Sequence, residues 1–319
     1  MGGMLTELGK KLAERWLSLL VLPGALYLAV AATAYTLGHA RPFDLHLLTD
    51  QITTGAKAPA VATAGGQVVL LAAVLAGAAA VGLMAQSLGS LAEQLHLAAD
   101  WQTWPAVARR VAGLATKYRR RRWRTASEDW HRLRQDAATA RTRGTRADPA
   151  ARHAARAAMT RISPEHPDRP GWSGDRIHAA AVRLERDFHI DLAVLWPHVW
   201  LILPDTVRTE ITAARQTLAR ATTLTAWSLL YLPLAAWWWP ATAITAVLAF
   251  TSWRRTRTAA DTYATLLEAA TRLHARDLAE HLGLDPCPLT QDVGDSLTRH
   301  LSPSPPPPPP PDNAPATGV

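Results

Sequence analysis

Residues 67–91 read QVVLLAAVLAGAAAVGLMAQSLGSL and contain no charged residue and no histidine. A helix of about 20 apolar residues spans the hydrocarbon core of a bilayer. A long helix in the core of a soluble protein usually keeps one polar face, and this stretch has none. The sequence therefore predicts a membrane-spanning helix over 67–91.

A second uncharged stretch precedes it, WLSLLVLPGALYLAVAATAYTL at 16–37. Its length predicts a first membrane span over the same residues. The alternative is a secretory signal peptide, with Lys10, Lys11 and Arg15 as its basic region and the small residues at 32–34 as its cleavage site. The apolar stretch is long for a signal peptide, so the span is the preferred interpretation.

The third apolar stretch, 221–253, is too long for one straight span and reads ATTLTAWSLLYLPLAAWWWPATAITAVLAFTSW. Tryptophan is enriched at membrane–water boundaries, and proline suits the first turn of a helix. We therefore predict a short helical hairpin that turns at Trp237, Trp238, Trp239 and Pro240, with the three tryptophans anchoring the outer boundary. One strongly tilted span is the alternative.

Lysine and arginine set the orientation of the spans, because cytoplasmic flanks are enriched in them. The loop at 38–66 contains only two lysine or arginine residues, Arg41 and Lys57, and is therefore predicted to be extracytoplasmic. The N-terminal residues 1–15 and the long segment 92–220 are predicted to be cytoplasmic.

The chain after the third stretch is also basic and is therefore predicted to be cytoplasmic, which requires the third stretch to cross twice. Residues 254–283 have apolar side chains at helical spacing and predict an amphipathic helix. Residues 284–319 predict a disordered proline-rich tail. It includes seven consecutive prolines at 305–311, which either remain solvated or bind a proline-recognising groove.

The chain has 34 Lys+Arg against 26 Asp+Glu, and residues 105–161 alone hold sixteen Lys/Arg and four Asp/Glu. A helical domain of this charge is suited to anionic lipid headgroups or to an acidic face of an unidentified protein partner. Nucleic acid is the least favoured partner, because no module signature for it occurs. The residues predicted to make this contact are Arg119, Arg120, Arg121, Arg122 and Arg124.

The predicted spans contain small residues at four-residue spacing, a pattern that lets helices approach closely. Ala73 with Gly77, and Ala78 with Gly82, are the pairs predicted to pack helices. A homo-oligomer formed through this face is one interpretation, and packing within the chain is the other.

The sequence offers no motif for catalysis. Cys287 is the single cysteine, no histidine has the spacing of a metal motif, and neither a nucleophile elbow nor a phosphate-binding glycine loop occurs. We expect no catalytic residue, no metal and no cofactor. The predicted spans also lack the ionisable residues that mark ion paths.

Several stretches resemble uncharacterised multi-pass membrane proteins of high-GC actinobacteria. They are WPHVWLILPD at 196–205, TAARQTLARATTLTAWSLLYL at 212–232, RWLSLLVLPGALYLAVAA at 15–32 and AADTYATLLEAATRLHARDLAEHLG at 259–283. The resemblance covers most of the chain except the proline tail. It implies a membrane location and no activity.

The sequence thus predicts an all-α, multi-pass protein of the bacterial cytoplasmic membrane with both termini inside. We expect it to be non-enzymatic and to present a basic helical domain at the inner surface, for contact with anionic lipid or a partner. Two alternatives remain: an effector that oligomerises and permeabilises the bilayer, as in defence systems, and an accessory subunit of a transporter.

Overall fold

The structure is a computed structural model that describes residues 21–57, 63–145, 148–284 and 288–303, together with Glu7. Over these residues the chain is helical and has no strand, which confirms the all-α class. The first five residues of the predicted first span lie outside the described residues, as does the proline run.

The chain forms ten α-helices in its described residues and divides into two compact units. The first unit comprises residues 1–178 and 210–264, and the second comprises 179–209 and 265–319. The helices are α1 (Leu22–Leu37), α2 (Leu45–Ala56), α3 (Ala64–Leu97), α4 (Ala106–Thr142), α5 (Pro149–Ile162), α6 (Trp172–Phe188), α7 (Leu192–Ile202), α8 (Asp205–Tyr231), α9 (Pro240–His281) and α10 (Gln291–Leu301).

Helix α3 packs through a seam of small residues. A Cβ atom at Gly24 of α1 would overlap the carbonyl oxygen of Ala78, so α1 and α3 touch backbone to backbone. Farther along the seam, Gly89 lies against Thr223 of α8. Alternating steps of four and three keep the seam on one face of the helix. Its buried members are Ala78, Gly82, Ala85, Gly89 and Ala92.

Only two of the four packing residues predicted in α3 belong to this seam. Ala78 and Gly82 belong to it, Gly77 is partly buried near Leu28 of α1, and Ala73 is exposed. At about 100° per residue, the pair Ala73 and Gly77 points about a quarter turn or more away from the buried pair. The contacts that the seam makes are with α1 and α8 of the same chain.

By length and composition, α3 is the one helix of the described residues that could cross a membrane, while α1 and α7 are shorter apolar helices. Only 17% of the most apolar stretch of α3 is buried. The finding supports membrane association for α3, and the four-span topology remains a prediction.

The third apolar stretch is interrupted between Tyr231 and Pro240, a segment that includes the three tryptophans. Helix α8 ends at Tyr231, a 3-10 turn follows, and α9 begins at Pro240. The two helices are in contact beyond this interruption. The Ser252 hydroxyl donates to the Ala221 carbonyl oxygen at 2.8 Å and lies 2.7 Å from the Thr225 hydroxyl. The chain therefore forms an antiparallel helix pair here.

We call residues 237–240 the tryptophan turn. This turn contacts the residues that follow α1. The Trp238 indole N–H donates to the Pro42 carbonyl oxygen at 3.0 Å. The rings of Phe43 and Trp239 meet edge to face, with centroids 5.7 Å apart. The start of the predicted extracytoplasmic loop and the predicted outer turn thus lie at the same end of the first unit.

One predicted boundary falls inside a helix, and another needs correction. Helix α9 continues without a break from Pro240 to His281, because no glycine or proline interrupts it before Gly283, whose φ of +71° ends it. The predicted division at 253/254 therefore falls inside one helix. Disorder from 284 onward is wrong for Gln291–Leu301, which is an α-helix with Leu297 fully buried.

In the second unit, Arg272 links α9 to the end of α6. Its guanidinium donates to Asp187 at 2.7 Å and to Glu268 at 3.0 Å. The hydrogen bond from Arg272 lowers the pKa of Asp187. Helix α10 packs against α7, and the Thr298 hydroxyl donates to the His189 carbonyl oxygen at 3.2 Å.

We predict that Gly24→Ala destabilises the protein, because the added methyl group would have to push α1 away from Ala78. Overpacking of this kind costs about 1–3 kcal/mol. The matched control is Gly65→Ala in α3, where a Cβ meets nothing within 4 Å and should raise helix stability by up to about 1 kcal/mol. Thermal unfolding in detergent, followed by tryptophan fluorescence, measures both. Equal midpoints for the two variants would show that α1 and α3 do not touch at Gly24.

Candidate functional site

Helix α4 carries an apolar stripe on its exposed side. Val107, Val111, Leu114 and Tyr118 follow one another at steps of four, three and four, and each is between 62% and 76% exposed. A helix of a globular protein normally buries such a stripe. We call these four residues the α4 stripe.

Arginines border the α4 stripe. At about 100° per residue, Arg121 and Arg122 lie within about 60° of its centre, and Arg124 lies farther round the same helix. All three side chains are exposed. The Arg122 guanidinium also lies 5.7 Å from the centroid of the Tyr118 ring. Arg121 and Arg122 therefore combine positive charge with the apolar stripe, while Arg124 is exposed on another side of the helix.

Arg119 points to another side of the helix and is largely buried, with 15% of its side chain exposed. Its Nη2 donates to the Asp175 carboxylate at 2.7 Å and to the Ile162 carbonyl oxygen at 2.6 Å. Its Nη1 donates to the Pro170 carbonyl oxygen at 3.3 Å. Arg119 therefore joins α4 to the loop between α5 and α6, and its guanidinium is already engaged.

Arg120 holds the same loop from a second position. Its Nε donates to the Pro167 carbonyl oxygen at 2.7 Å, and its Nη2 donates to the Asp168 carboxylate at 2.6 Å. The Trp123 indole N–H donates to the Ser163 carbonyl oxygen at 3.0 Å. Two of the five predicted arginines, Arg119 and Arg120, thus bind the loop between α5 and α6. The other three, Arg121, Arg122 and Arg124, are exposed.

Asp175 lies in the first turn of α6 and binds this loop, with 2% of its side chain exposed. Its Oδ1 accepts the backbone N–H groups of Asp168 at 3.0 Å and of Arg169 at 2.8 Å. Burial raises the pKa of Asp175, and the Arg119 guanidinium and the two backbone N–H groups oppose that rise. Burial likewise lowers the pKa of Arg119. The paired charges compensate each other's desolvation.

The loop also contacts the end of α3. A Cβ at Gly174 would overlap the Leu97 carbonyl oxygen, and the Arg169 guanidinium donates to that same oxygen at 3.0 Å. The sequence predicted only a break in helix here. Asp168 and Arg169 lie between two prolines in the sequence. The same pattern occurs in ordinary exposed loops, so it did not indicate a contact with α3.

A cationic cleft of about 700 Å³ opens beside this loop. Arg257 of α9 crosses it, with its guanidinium 4.2 Å from the Trp172 ring centroid and 5.4 Å from that of Trp253. It donates to the Arg161 carbonyl oxygen at 3.1 Å. Burial lowers the pKa of Arg257, as do the nearby charges of Arg119 and Arg161. The charged lining residues are Arg119, Arg122, Arg161, Arg257 and Asp129.

The lining carries four arginines and one aspartate, which makes the cleft suited to an anionic group, and the guanidinium of one of them, Arg119, is already bound to Asp175. No local sequence pattern predicts this cleft, because its lining comes from α4, α5, α6 and α9. Near the tryptophan turn, Trp237 and Trp239 are exposed, whereas Trp238 is partly buried. Within the described ranges, no three histidine, cysteine, aspartate or glutamate side chains come together as metal ligands.

We predict that Arg119→Gln destabilises the loop between α5 and α6, because it leaves the Asp175 carboxylate buried without its counter-charge. Breaking a buried pair costs about 3–5 kcal/mol, whereas Arg121→Gln, the control, should change stability by about 0.5 kcal/mol or less. Hydrogen exchange of the peptide containing the Asp168 and Arg169 amides, measured in the full-length protein, reports the difference. Equal protection in both variants would exclude the structural role of Arg119.

Comparisons with protein-family models, with curated proteins and with solved structures find no match to this chain.

Proposed function

We propose that the chain is a non-enzymatic, multi-pass protein of the bacterial cytoplasmic membrane that holds the basic helix α4 against the inner, anionic lipid surface. The observation that carries the proposal is the exposed apolar surface of α3. Burying one large apolar side chain is worth about 1.5–3 kcal/mol, and lipid tails would bury many here. The exposed residues include Val68, Val69, Leu71, Leu83, Met84, Leu91 and Leu95.

The arrangement of the first unit supports the proposed threading. Residues 39–43 contact the tryptophan turn at one end. At the other end, Arg215 of α8 pairs with Glu93, and Arg169 in the loop at 163–171 contacts the last residue of α3. The charge pattern assigned the first group to the outside and the second to the inside, and each group lies together in space.

The lengths of the hairpin arms are compatible with two short crossings. Residues 221–236 extend about 26 Å and residues 240–253 about 21 Å, at the rises of α- and 3-10 helices. The hydrocarbon core is about 30 Å thick. Short spans are accommodated by local thinning of the bilayer, which is our interpretation for this hairpin.

Helix α4 supplies two contributions to lipid contact. The α4 stripe would enter the boundary between headgroups and acyl chains, as in other basic amphipathic helices. The exposed guanidinium groups of Arg121, Arg122 and Arg124 would each contribute about 1 kcal/mol at an anionic surface. An acidic protein surface would satisfy the charges but gives no comparable reason for the exposed stripe, so lipid is the preferred partner.

The proposal does not extend to an oligomerising, bilayer-permeabilising effector. The small-residue seam of α3, which could join copies of the chain, already packs against α1 and α8. No observation favours a transporter subunit.

Cysteine labelling tests the topology. In a Cys287→Ser background, we expect Ala40→Cys to react with a membrane-impermeant maleimide on intact cells. We expect Arg255→Cys to react only after permeabilisation. Labelling of position 255 on intact cells would mean that the third apolar stretch crosses once. If position 40 does not react on intact cells, the outward placement of the first loop is contradicted.

A fluorescent label tests the contact of α4 with lipid. We expect a label on Leu114→Cys, in proteoliposomes of the full-length protein, to be quenched by brominated lipid when phosphatidylglycerol is present. Replacing Arg121, Arg122 and Arg124 by Gln should remove most of that quenching, because the electrostatic attraction is lost. The control is a label on Ala138→Cys, exposed on another side of α4. Equal quenching at 114 and 138 would contradict a lipid-facing stripe.

A further inference from the structure

A second cleft, of about 730 Å³, lies between α8 and α9. Its volume is within the range of about 300–1,000 Å³ that small-molecule sites occupy. All of its lining residues belong to the first unit. They are Ala214, Thr217, Arg220, Ala221, Leu224, Arg254, Arg255, Thr258, Ala259 and Thr262.

Three arginines stand at one end of the apolar hairpin in this cleft. Arg220 immediately precedes the apolar part of α8, and Arg254 and Arg255 immediately follow that of α9. The hydrogen bond from Ser252 to the Ala221 carbonyl oxygen keeps these ends of the two helices side by side. The cleft therefore lies at the transition from an apolar surface to a basic one.

These arginines have no carboxylate partner among the residues that the structure describes. Arg220 donates to the Gln216 side-chain oxygen at 3.5 Å, at the limit of a hydrogen bond. The Arg254 guanidinium lies 5.9 Å from the Phe250 ring centroid. No aspartate or glutamate lines the cleft. The positive charge here is thus not balanced by the chain around it.

The rest of the lining is small or apolar and leaves the charge as the main polar feature. Ala214, Ala221 and Leu224 form an apolar wall next to the arginines. The hydroxyl groups of Thr217 and Thr258 already donate to carbonyl oxygens of their own helices. A ligand that fits would combine an anionic group with an apolar portion.

We propose that this cleft binds one anionic phospholipid molecule, with its phosphate against Arg220, Arg254 and Arg255 and the start of an acyl chain along Leu224. Guanidinium groups form paired hydrogen bonds to phosphate oxygens. The inference rests on the proposed membrane location. It adds a discrete lipid site that is formed by different residues from those of the α4 surface.

The test measures the thermal stability of full-length protein in detergent as lipid is added, since a ligand that binds the folded state raises its stability. We expect phosphatidylglycerol to raise the unfolding midpoint and phosphatidylcholine to leave it unchanged. In the Arg220→Gln, Arg254→Gln, Arg255→Gln variant, apparent affinity for phosphatidylglycerol should fall about tenfold or more. The comparison variant replaces Arg121, Arg122 and Arg124 by Gln, which removes the proposed contribution of α4, and the part of the midpoint shift that depends on the cleft should remain.

Two results would overturn the proposal. One is an undiminished shift in the cleft variant, and the other is an equal shift of the wild-type protein with inorganic phosphate, which would indicate a site for free anions. Loss of the shift in the α4 variant alone would assign the lipid effect to α4 and also contradict the cleft. The cysteine labelling decides the membrane topology separately from all of these outcomes.

A photoactivatable phosphatidylglycerol, with its diazirine near the headgroup, gives a second readout that needs no variant. Crosslinks on wild-type protein should fall on peptides of α8 and α9 that contain Leu224 or Thr258. If the cleft variant does not fold, these crosslinks still decide the question. Crosslinks confined to other peptides would contradict the site.

Discussion

The backbone contact between Gly24 and Ala78 is the constraint on which the rest of the first unit depends. It aligns α1 with α3 along a face of alanine and glycine, and α8 continues the same face at Gly89. Because small side chains occupy that seam, the large apolar residues of α3 are displaced to the other faces. The described helices do not cover those faces. The packing that holds the helices together therefore also determines which surface must find another apolar environment.

The loop between α5 and α6 shows a second use of charge. Asp175 is almost completely removed from water, and an aspartate in that position needs strong compensation. Arg119 and two backbone N–H groups provide it. A basic segment next to a membrane is usually interpreted as a flank that sets orientation. Here part of the same run is the internal structure of the domain, which sequence composition does not reveal.

Sequence patterns were sufficient for what depends on neighbours along the chain. The all-α class followed from composition and periodicity, and the break before Pro240 followed from the tryptophan-rich turn. Which arginine of the run faces inward depends on 100° steps around α4 and on a loop about fifty residues away, so it could not be predicted. The helix at Gln291–Leu301 was missed because the neighbouring prolines indicated disorder, whereas the burial of Leu297 involves packing against α7, which is distant in sequence.

The chemical identity of the outward cations of α4 has a consequence for regulation. Apart from Lys117 and His131, the basic residues of this helix are arginines. Guanidinium groups keep their proton throughout the physiological range and are not acetylated as lysines are. If α4 binds lipid as proposed, neither a fall in pH nor lysine acetylation would neutralise the guanidinium groups of Arg121, Arg122 and Arg124. Under that proposal, control of the contact would act on the lipid side, through the fraction of anionic lipid in the bilayer.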